Sequence, residues 1–256
     1  MKLATWNVNS LPIRLPRLIP WLAAQAPDVV CLQETKLEDE RFPHADIEAA
    51  GYRAHVHGQR TYNGVAILVR DGLEATEVAI GLPDFPDQKR LIAATVGGVR
   101  IINAYVPNGQ QIGSEKFAYK LAWCEAMTAR LRDELATHGQ LAFAGDMNIA
   151  PEARDVHDPA AWESTIHFTP PEREVFRAWL DAGLVDSFRL FEQPPATFSW
   201  WDYRMLSFPK NKGLRIDLVL VNQPMVGRLR EVAIDRDERK GKQPSDHAPV
   251  IATFEA

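Results

Sequence analysis

The sequence is poor in cysteine, has no long apolar run and carries no surplus of positive charge. Its two cysteines in 256 residues, Cys31 and Cys124, each sit among apolar neighbours. They are too few for a disulfide framework and read as buried thiols of a reducing compartment. The longest apolar stretches, such as residues 29–32 and 218–221, fall far short of the roughly 18 residues a membrane-crossing helix needs. The opening Met1-Lys2-Leu3-Ala4-Thr5 turns polar before a signal-type segment could form. A soluble, cytoplasmic protein with no membrane partner is therefore expected. Lysine and arginine total 29 against 34 acidic residues, a net charge of −5. That balance argues against a chain that coats nucleic acid by charge alone, because such binding rests on Lys and Arg neutralising phosphates. It leaves room for an enzyme that acts on nucleic acid. No Pro/Gly/Ser linker, low-complexity tract or internal repeat divides the chain, so residues 1–256 are expected to form one domain. A monomer is expected too, since no long apolar surface stripe stands out.

What is present is ordinary globular chemistry, 46% apolar and 25% charged, arranged as many short strands with a few helices. Strands are expected at residues 2–8, 28–33, 52–56, 64–69, 74–80, 91–96, 99–105, 141–144, 197–200, 215–221, 229–234 and 248–254. Helices are expected at 11–25, where Pro12, Pro16 and Pro20 limit regularity, at 114–137 with Ser114 as cap and Gly139 as stop, and at 171–182 before Gly183. Most of the strands between 52 and 105 follow one another without helices, so antiparallel neighbours are expected. The fold class is α+β: a four-layered sandwich of two mixed, mainly antiparallel sheets packed face to face and flanked by helices.

The acids and amides fall at telling places. Glu34 follows the apolar run 29–32, Asp146 and Asn148 follow 141–144, Asp217 lies in the strand 215–221, and Asp246-His247 immediately precedes 248–254. Carboxylates at the ends of buried strands are costly unless a cation or hydrogen bonds compensate. Any one of them read alone is more simply a cap or an ion-pair partner. The set points to a shared metal, and oxygen ligands with a single imidazole select a hard ion, Mg²⁺ with Mn²⁺ as substitute, over Zn²⁺. Basic residues cluster as Arg14 with Arg17, Lys89-Arg90, Lys116 with Lys120, Lys210 with Lys212 and Arg215, and across 236–242; each cluster alone is an ordinary solvated face.

The blocks Thr5-Trp6-Asn7-Val8-Asn9-Ser10, Leu32-Gln33-Glu34-Thr35-Lys36, Tyr62-Asn63-Gly64-Val65-Ala66, Asn103-Ala104-Tyr105-Val106-Pro107-Asn108, Gly145-Asp146-Met147-Asn148-Ile149-Ala150-Pro151, Gly213-Leu214-Arg215-Ile216-Asp217 and Ser245-Asp246-His247-Ala248-Pro249 span nearly the whole chain. Together, and in this order, they resemble the exonuclease III family of DNA-repair nucleases, within the DNase I-like superfamily. The resemblance implies a four-layered sandwich and Mg²⁺-dependent hydrolysis of DNA phosphodiesters. By it, Glu34 is the principal metal ligand with Asn7 and Asp246 nearby, Asp146 orients or deprotonates the attacking water, and Asn148 helps hold that water. His247, paired with Asp217, bonds a phosphate oxygen, and Tyr105 is the family's phosphate-side tyrosine.

The implied substrate is double-stranded DNA bearing abasic sites, nicks or damaged 3′ ends. Trp200 and Leu214 match positions that form an apolar pocket for a base-less sugar, while Lys36, Tyr62, Asn108 and Arg60 are candidates for phosphate contact. A plain core role for Trp200 competes with this. Residues 162–171 are where the chain departs from the family pattern. His167 there, if its ring projects into the cleft, would block an internal abasic site yet admit a 3′ terminus; the plainer reading is a surface-loop histidine without a role. Abasic-site incision and 3′-end hydrolysis are both expected, in a ratio the letters leave open. The alternatives are a specialised 3′-end enzyme with little incision, a non-DNA phosphodiesterase or phosphatase of the superfamily, and a catalytically dead binding module, which would have lost some of these acids.

Overall fold

The computed structural model describes residues 1–255. Its strands are β1 (Lys2–Asn7), β2 (Val29–Gln33), β3 (Tyr52–His57), β4 (Val65–Arg70), β5 (Ala75–Ile80), β6 (Leu91–Val96), β7 (Val99–Tyr105), β8 (Leu141–Asp146), β9 (Leu184–Asp186), β10 (Asp217–Asn222), β11 (Leu229–Ile234) and β12 (Val250–Phe254). They form two six-stranded sheets, ordered β11-β12-β1-β2-β4-β3 and β5-β6-β7-β8-β10-β9. Each sheet has one parallel pair at its centre, β1 with β2 and β7 with β8, and antiparallel pairing elsewhere. A parallel pair needs a crossover, and the helices α1 (Leu11–Gln25), between β1 and β2, and α3 (Glu115–Thr137), between β7 and β8, supply them. The others are α2 (His44–Ala49), α4 (Pro159–Trp162), α5 (Pro170–Asp181) and α6 (Gln223–Val226).

Alternation along the strands builds the layers. Val29, Cys31, Val65 and Ile67 of the first sheet meet Ile92, Ile101, Ala142, Val219 and Val221 of the second in the central core. The intervening Val30, Leu32, Ala66 and Leu68 pack under Leu18, Trp21 and Leu22 of α1. On the other side Ile102, Phe143, Leu218 and Leu220 lie under Trp123, Met127 and Leu131 of α3 and Phe176 and Trp179 of α5. Strands covered on both faces must be apolar throughout, which is why β2 and β4 read as unbroken hydrophobic runs. The fold is the α+β, four-layered sandwich expected from sequence.

Helix α1 survives its prolines because Pro12 sits in the first turn, and Pro16 and Pro20 lie with it on the exposed face. The carbonyls that Pro16 and Pro20 leave without amide partners therefore lie toward solvent. One expected strand is absent. Residues 197–200 make only isolated bridges, Trp200 with Leu214 and with His247, because the Ser199 hydroxyl, not a ladder partner, accepts from the amides of Ile216 and Asp217 at 3.1 and 3.0 Å. Strand β9 and the short α2, α4 and α6 were not expected, and β8 runs on through Asp146. No helix among the described residues is long and apolar enough to cross a membrane.

Candidate active site

Both parallel pairs end at the same rim of the sandwich, and the expected acids gather there. Register aligns them: Tyr105 on β7 lies opposite Asp146 on β8, which lies opposite Asp217 on β10. In the facing sheet Asn7 ends β1 beside Gln33 at the end of β2, and Glu34 follows. Asn7 spans the two sheets, donating from Nδ2 to Glu34 Oε1 and to Asp146 Oδ2, each at 2.9 Å. Below this rim a polar layer joins the sheets, with Gln33 Nε2 donating to Thr5 Oγ1 and to Asn103 Oδ1, both at 2.8 Å.

Gly145 brings Asp146 into place. Its φ of 149° is open to glycine, and a Cβ there would drive into the Ala104 carbonyl oxygen of the neighbouring strand. Glu34, Lys36 and Asn148 hold left-handed φ values of 53°, 55° and 48°, a strained conformation costing on the order of 1 kcal/mol or more per residue and concentrated at functional sites. Around Glu34 it is held by amide bonds from Ser10 to the Glu34 carbonyl at 2.8 Å and from Lys36 to the Asn63 carbonyl at 3.0 Å.

The electrostatics set the acids apart from one another. Burial raises Asp146, the His247 charge opposes that, and the Asp217 charge raises it again, leaving its pKa at about 7. Burial works against protonated His247, but the charges of Asp217, Asp146 and Asp246 outweigh it and lift the imidazole to about 10. His247 Nδ1 donates to both Asp217 oxygens at 3.0 and 2.8 Å. Its Nε2 lies 3.7 Å from Asp146 Oδ2. Burial would raise Glu34 too, yet Lys36, with Nζ 2.8 Å from Oε2, and the Asn7 bond bring it below its ordinary value. Tyr105 is held well above its ordinary value by burial and then by the Glu34 charge, and Arg90 stacks 4.5 Å over its ring.

The remaining candidates divide between wall and groove. Asp246 accepts from Asn9 Nδ2 at 2.9 Å and from Trp200 Nε1 at 3.0 Å. Trp200 is half-buried, whereas Leu214 is fully buried with Ala150, Val156, Phe168 and Ile216, so Leu214 backs the wall and offers no open surface. His167 is no surface-loop residue: it is 5% exposed, its Nδ1 donates to the Asn148 carbonyl at 2.9 Å, and its ring lies 6.3 Å from Trp200 and 6.2 Å from Trp162. Burial, and then the Lys120 charge, lower it to about 4, leaving the ring neutral. Asn108, which donates to Asn148 Oδ1 at 3.3 Å, opens from the site into a groove of about 690 Å³ lined by Tyr62, Arg90, Lys116 and Tyr119. Arg60 is exposed on the loop before Tyr62, outside that lining.

The donor set fits a divalent ion. Asp146, Asp217 and His247 bring ligating atoms within 4.8 Å of one another, but His247 and Asp217 are committed to each other and Ser199 Oγ also donates to Asp217 at 2.7 Å. Asp146 and Glu34 share the Asn7 amide across the two sheets, and burial, then the Asp217 charge and last the Glu34 charge, raise Asp146. Hard carboxylate oxygens there suit Mg²⁺ or Mn²⁺.

Sequence reasoning missed Asn9, which joins Lys36 to Asp246, Ser199 behind Asp217, Arg90 over Tyr105, and Trp162 beside His167. It also passed over the pair Lys120 and Glu172, whose signals were available: a charge on the apolar stripe of a helix, and a Thr169-x-x-Glu172 capping box. Ser199 and Trp162 carry no comparable signal.

The profile of the Endonuclease/Exonuclease/phosphatase family matches residues 4–247. The chain is 38% identical to "Exodeoxyribonuclease III" of Haemophilus influenzae over 99% of this chain and 100% of the relative. Among solved structures it is similar to a 3′ phosphatase from Neisseria bound to product DNA hairpin, at TM-score 0.96, 45% identity and full coverage of both chains. It is also similar to an AP endonuclease from Archaeoglobus fulgidus, at TM-score 0.96, 37% identity and full coverage of both.

Proposed function

The chain belongs to the endonuclease/exonuclease/phosphatase family as a hydrolytic DNA-repair nuclease, and from that premise we propose that it is a Mg²⁺-dependent hydrolase of phosphoesters at DNA 3′ ends, with incision at internal abasic sites its minor activity. The observation that carries the preference is the burial of His167 against Trp200, Trp162 and Asn148. The ring fills the apolar corner that a flipped-out sugar within a continuous strand would need, while a 3′ terminus, with no chain beyond it, approaches the carboxylates from the groove side. The 3′ phosphatase named among the similar structures agrees with this reading; the AP endonuclease is the relative it is to be distinguished from.

A phosphate anion repels an incoming hydroxide, so the site must both generate the nucleophile and neutralise charge. A divalent cation held by Glu34, with Asp246 and Asn7 near it, would polarise the phosphate and steady the leaving oxygen when bound. Asp146, buried beside Asn7 and His247 and kept ionised by a cation bound near it, takes the proton from the attacking water, and Asn148 orients that water from beside it. The charged His247, fixed in tautomer by Asp217, donates from Nε2 to a non-bridging phosphate oxygen. Tyr105 stays protonated and serves as a further donor. Lys36, Tyr62, Asn108 and Arg60 follow the strand's phosphates, and because these contacts read no bases, selectivity comes from shape.

The test uses labelled duplexes with a 3′-phosphate at a nick, a plain recessed 3′ end and an internal abasic analogue, each with Mg²⁺ or chelator. Mg²⁺-dependent release from the 3′ substrates should exceed incision, and His167→Gly should raise incision relative to 3′ release. Hydrolysis that ignores chelator would overturn the metal assignment. A ratio unmoved in His167→Gly would overturn the steric one.

A further inference from the structure

We propose that the buried pair Lys120 and Glu172 is a positioning device that holds Asn148 and His167 as one unit, coupling the geometry of hydrolysis to the choice of substrate. This rests on the reading of His167 given above. Lys120 projects from α3 and Glu172 from the first turn of α5, and both side chains are 0% exposed where they form their ion pair. The ammonium has three N–H groups and three acceptors: the Asn148 carbonyl at 2.7 Å, the Asn108 carbonyl at 3.3 Å, and Glu172 Oε1. The carboxylate is equally committed. Oε1 also accepts from the His167 amide at 2.9 Å, and Oε2 accepts from the Thr169 amide at 2.9 Å and its hydroxyl at 2.7 Å.

The Asn148 carbonyl is the junction, since it receives Lys120 Nζ on one side and His167 Nδ1 on the other. The same residue reaches the catalytic carboxylate, with its amide 3.0 Å from Asp146 Oδ1 and its Nδ2 3.3 Å from Asp146 Oδ2. Asn148 and His167 both hold left-handed backbone, at φ 48° and 80°, and neither is glycine, so surrounding bonds must over-determine them. Stability alone does not explain such a pair, because buried ions are commonly matched or bettered by apolar residues of similar volume. Besides the Asn108 carbonyl and the Thr169 cap, its bonds end on Asn148 and His167, the two residues assigned roles at the site.

The test compares Lys120→Met, Glu172→Gln and the double variant with the wild-type protein. Each single variant strands a buried charge and should melt lower; the double variant removes both and should recover most of the melting temperature. With folding restored, the double variant should still lose about tenfold or more in kcat for 3′-phosphate release with KM within about twofold, as expected when positioning is loosened by a fraction of an ångström. Its ratio of abasic incision to 3′ release should rise about tenfold, because the gate is released in the same change. ¹H–¹⁵N spectra should show the His167 imidazole titrating closer to the ordinary histidine range. Glu172→Asp, which keeps the charge but withdraws the carboxylate, should move the ratio in the same direction and covers the case in which the double variant does not fold. Wild-type kcat, ratio and imidazole spectrum in a folded double variant, or in Glu172→Asp, would overturn the proposal. Wild-type protein inactive on every duplex would sink the proposed function instead, and the imidazole spectra would then decide the role of the pair.

Discussion

Replacing Asp217 by asparagine isolates the charge on His247. The imidazole stands at about 10 although burial pushes it down, and Asp217 is the largest contribution lifting it, ahead of Asp146 and Asp246. An opposite charge at this range is worth about 1–3 pKa units; taking about 2, the imidazole of Asp217→Asn should titrate near pH 8, a loss of about 3 kcal/mol in preference for the charged form. The wild-type ring stays charged through pH 9. In the variant half the molecules are neutral near pH 8, with about a tenfold further loss of charged ring per pH unit above. If the imidazolium holds the phosphate oxygen, the alkaline limb of kcat for 3′-phosphate release should move down by the same two units. The assay is that pH profile at saturating Mg²⁺, paired with ¹⁵N titration of His247. The stability effect has a definite sign: a folded pKa raised above the unfolded 6.5 contributes fully below pH 6.5 and is lost as pH rises through 10. The gap in melting temperature between wild type and variant should therefore narrow as pH rises. An alkaline limb left in place while the rate falls, or a ring still charged at pH 9 in the variant, would refute the reasoning.

Ser199→Ala removes the hydroxyl that donates to Asp217 at 2.7 Å and accepts from two amides; it should cost about 1–3 kcal/mol, read in urea melts, and lower kcat more than it raises KM. Arg215→Met removes the guanidinium that the buried carboxylates of Asp155 and Asp186 now share, leaving Asp155 to Arg189 and stranding Asp186. That should cost about 3–5 kcal/mol, a fall of roughly 10 °C in melting temperature for a chain of this size. Mg²⁺ at a hundredfold over its Kd should raise stability by about 2.7 kcal/mol, and Asp146→Asn should leave the protein folded and DNA-bound while abolishing hydrolysis of every duplex. His167 has its pKa depressed to about 4, so the stability it contributes is complete above pH 6.5 and is lost as pH falls toward 4, about 3 kcal/mol in all; denaturant melts of His167→Gln should be flatter over that window.

Much of the fold was legible because burial leaves a mark on composition. Strands β2, β4 and β10, covered on both faces, are continuous apolar runs, and the stripe Trp123, Met127 and Leu131 announces α3. Residues 197–200 misled for a physical reason: their apolar character reflects packing of Phe198 and Trp200 in separate clusters, while the amides of Ile216 and Asp217 beside them are taken by the Ser199 hydroxyl, which no period-2 pattern encodes. Strand β9 is three residues long, too short to establish a period.

The site was legible in its members and not in its junctions. A carboxylate at either end of a buried strand is conspicuous in one dimension, so Glu34, Asp146, Asp217 and Asp246 stood out as candidates. Which of them meet depends on register between β7, β8 and β10 and on how the two sheets face each other, both set by contacts distant in sequence. Asn7 makes the point: its single amide nitrogen reaches Glu34 in its own sheet and Asp146 in the other, a bond made possible only when the sandwich closes. His167 illustrates the converse. As a letter in a polar loop it looked exposed, yet its left-handed backbone, its amide on Glu172 and its ring on Asn148 bury it. The amide bond reaches a carboxylate of α5 that Lys120 of α3 holds in place, and the ring bond reaches a carbonyl that the same lysine holds. A residue whose surroundings are set by what two helices bring together is invisible to local pattern, and His167, on which the proposed choice of substrate rests, is such a residue.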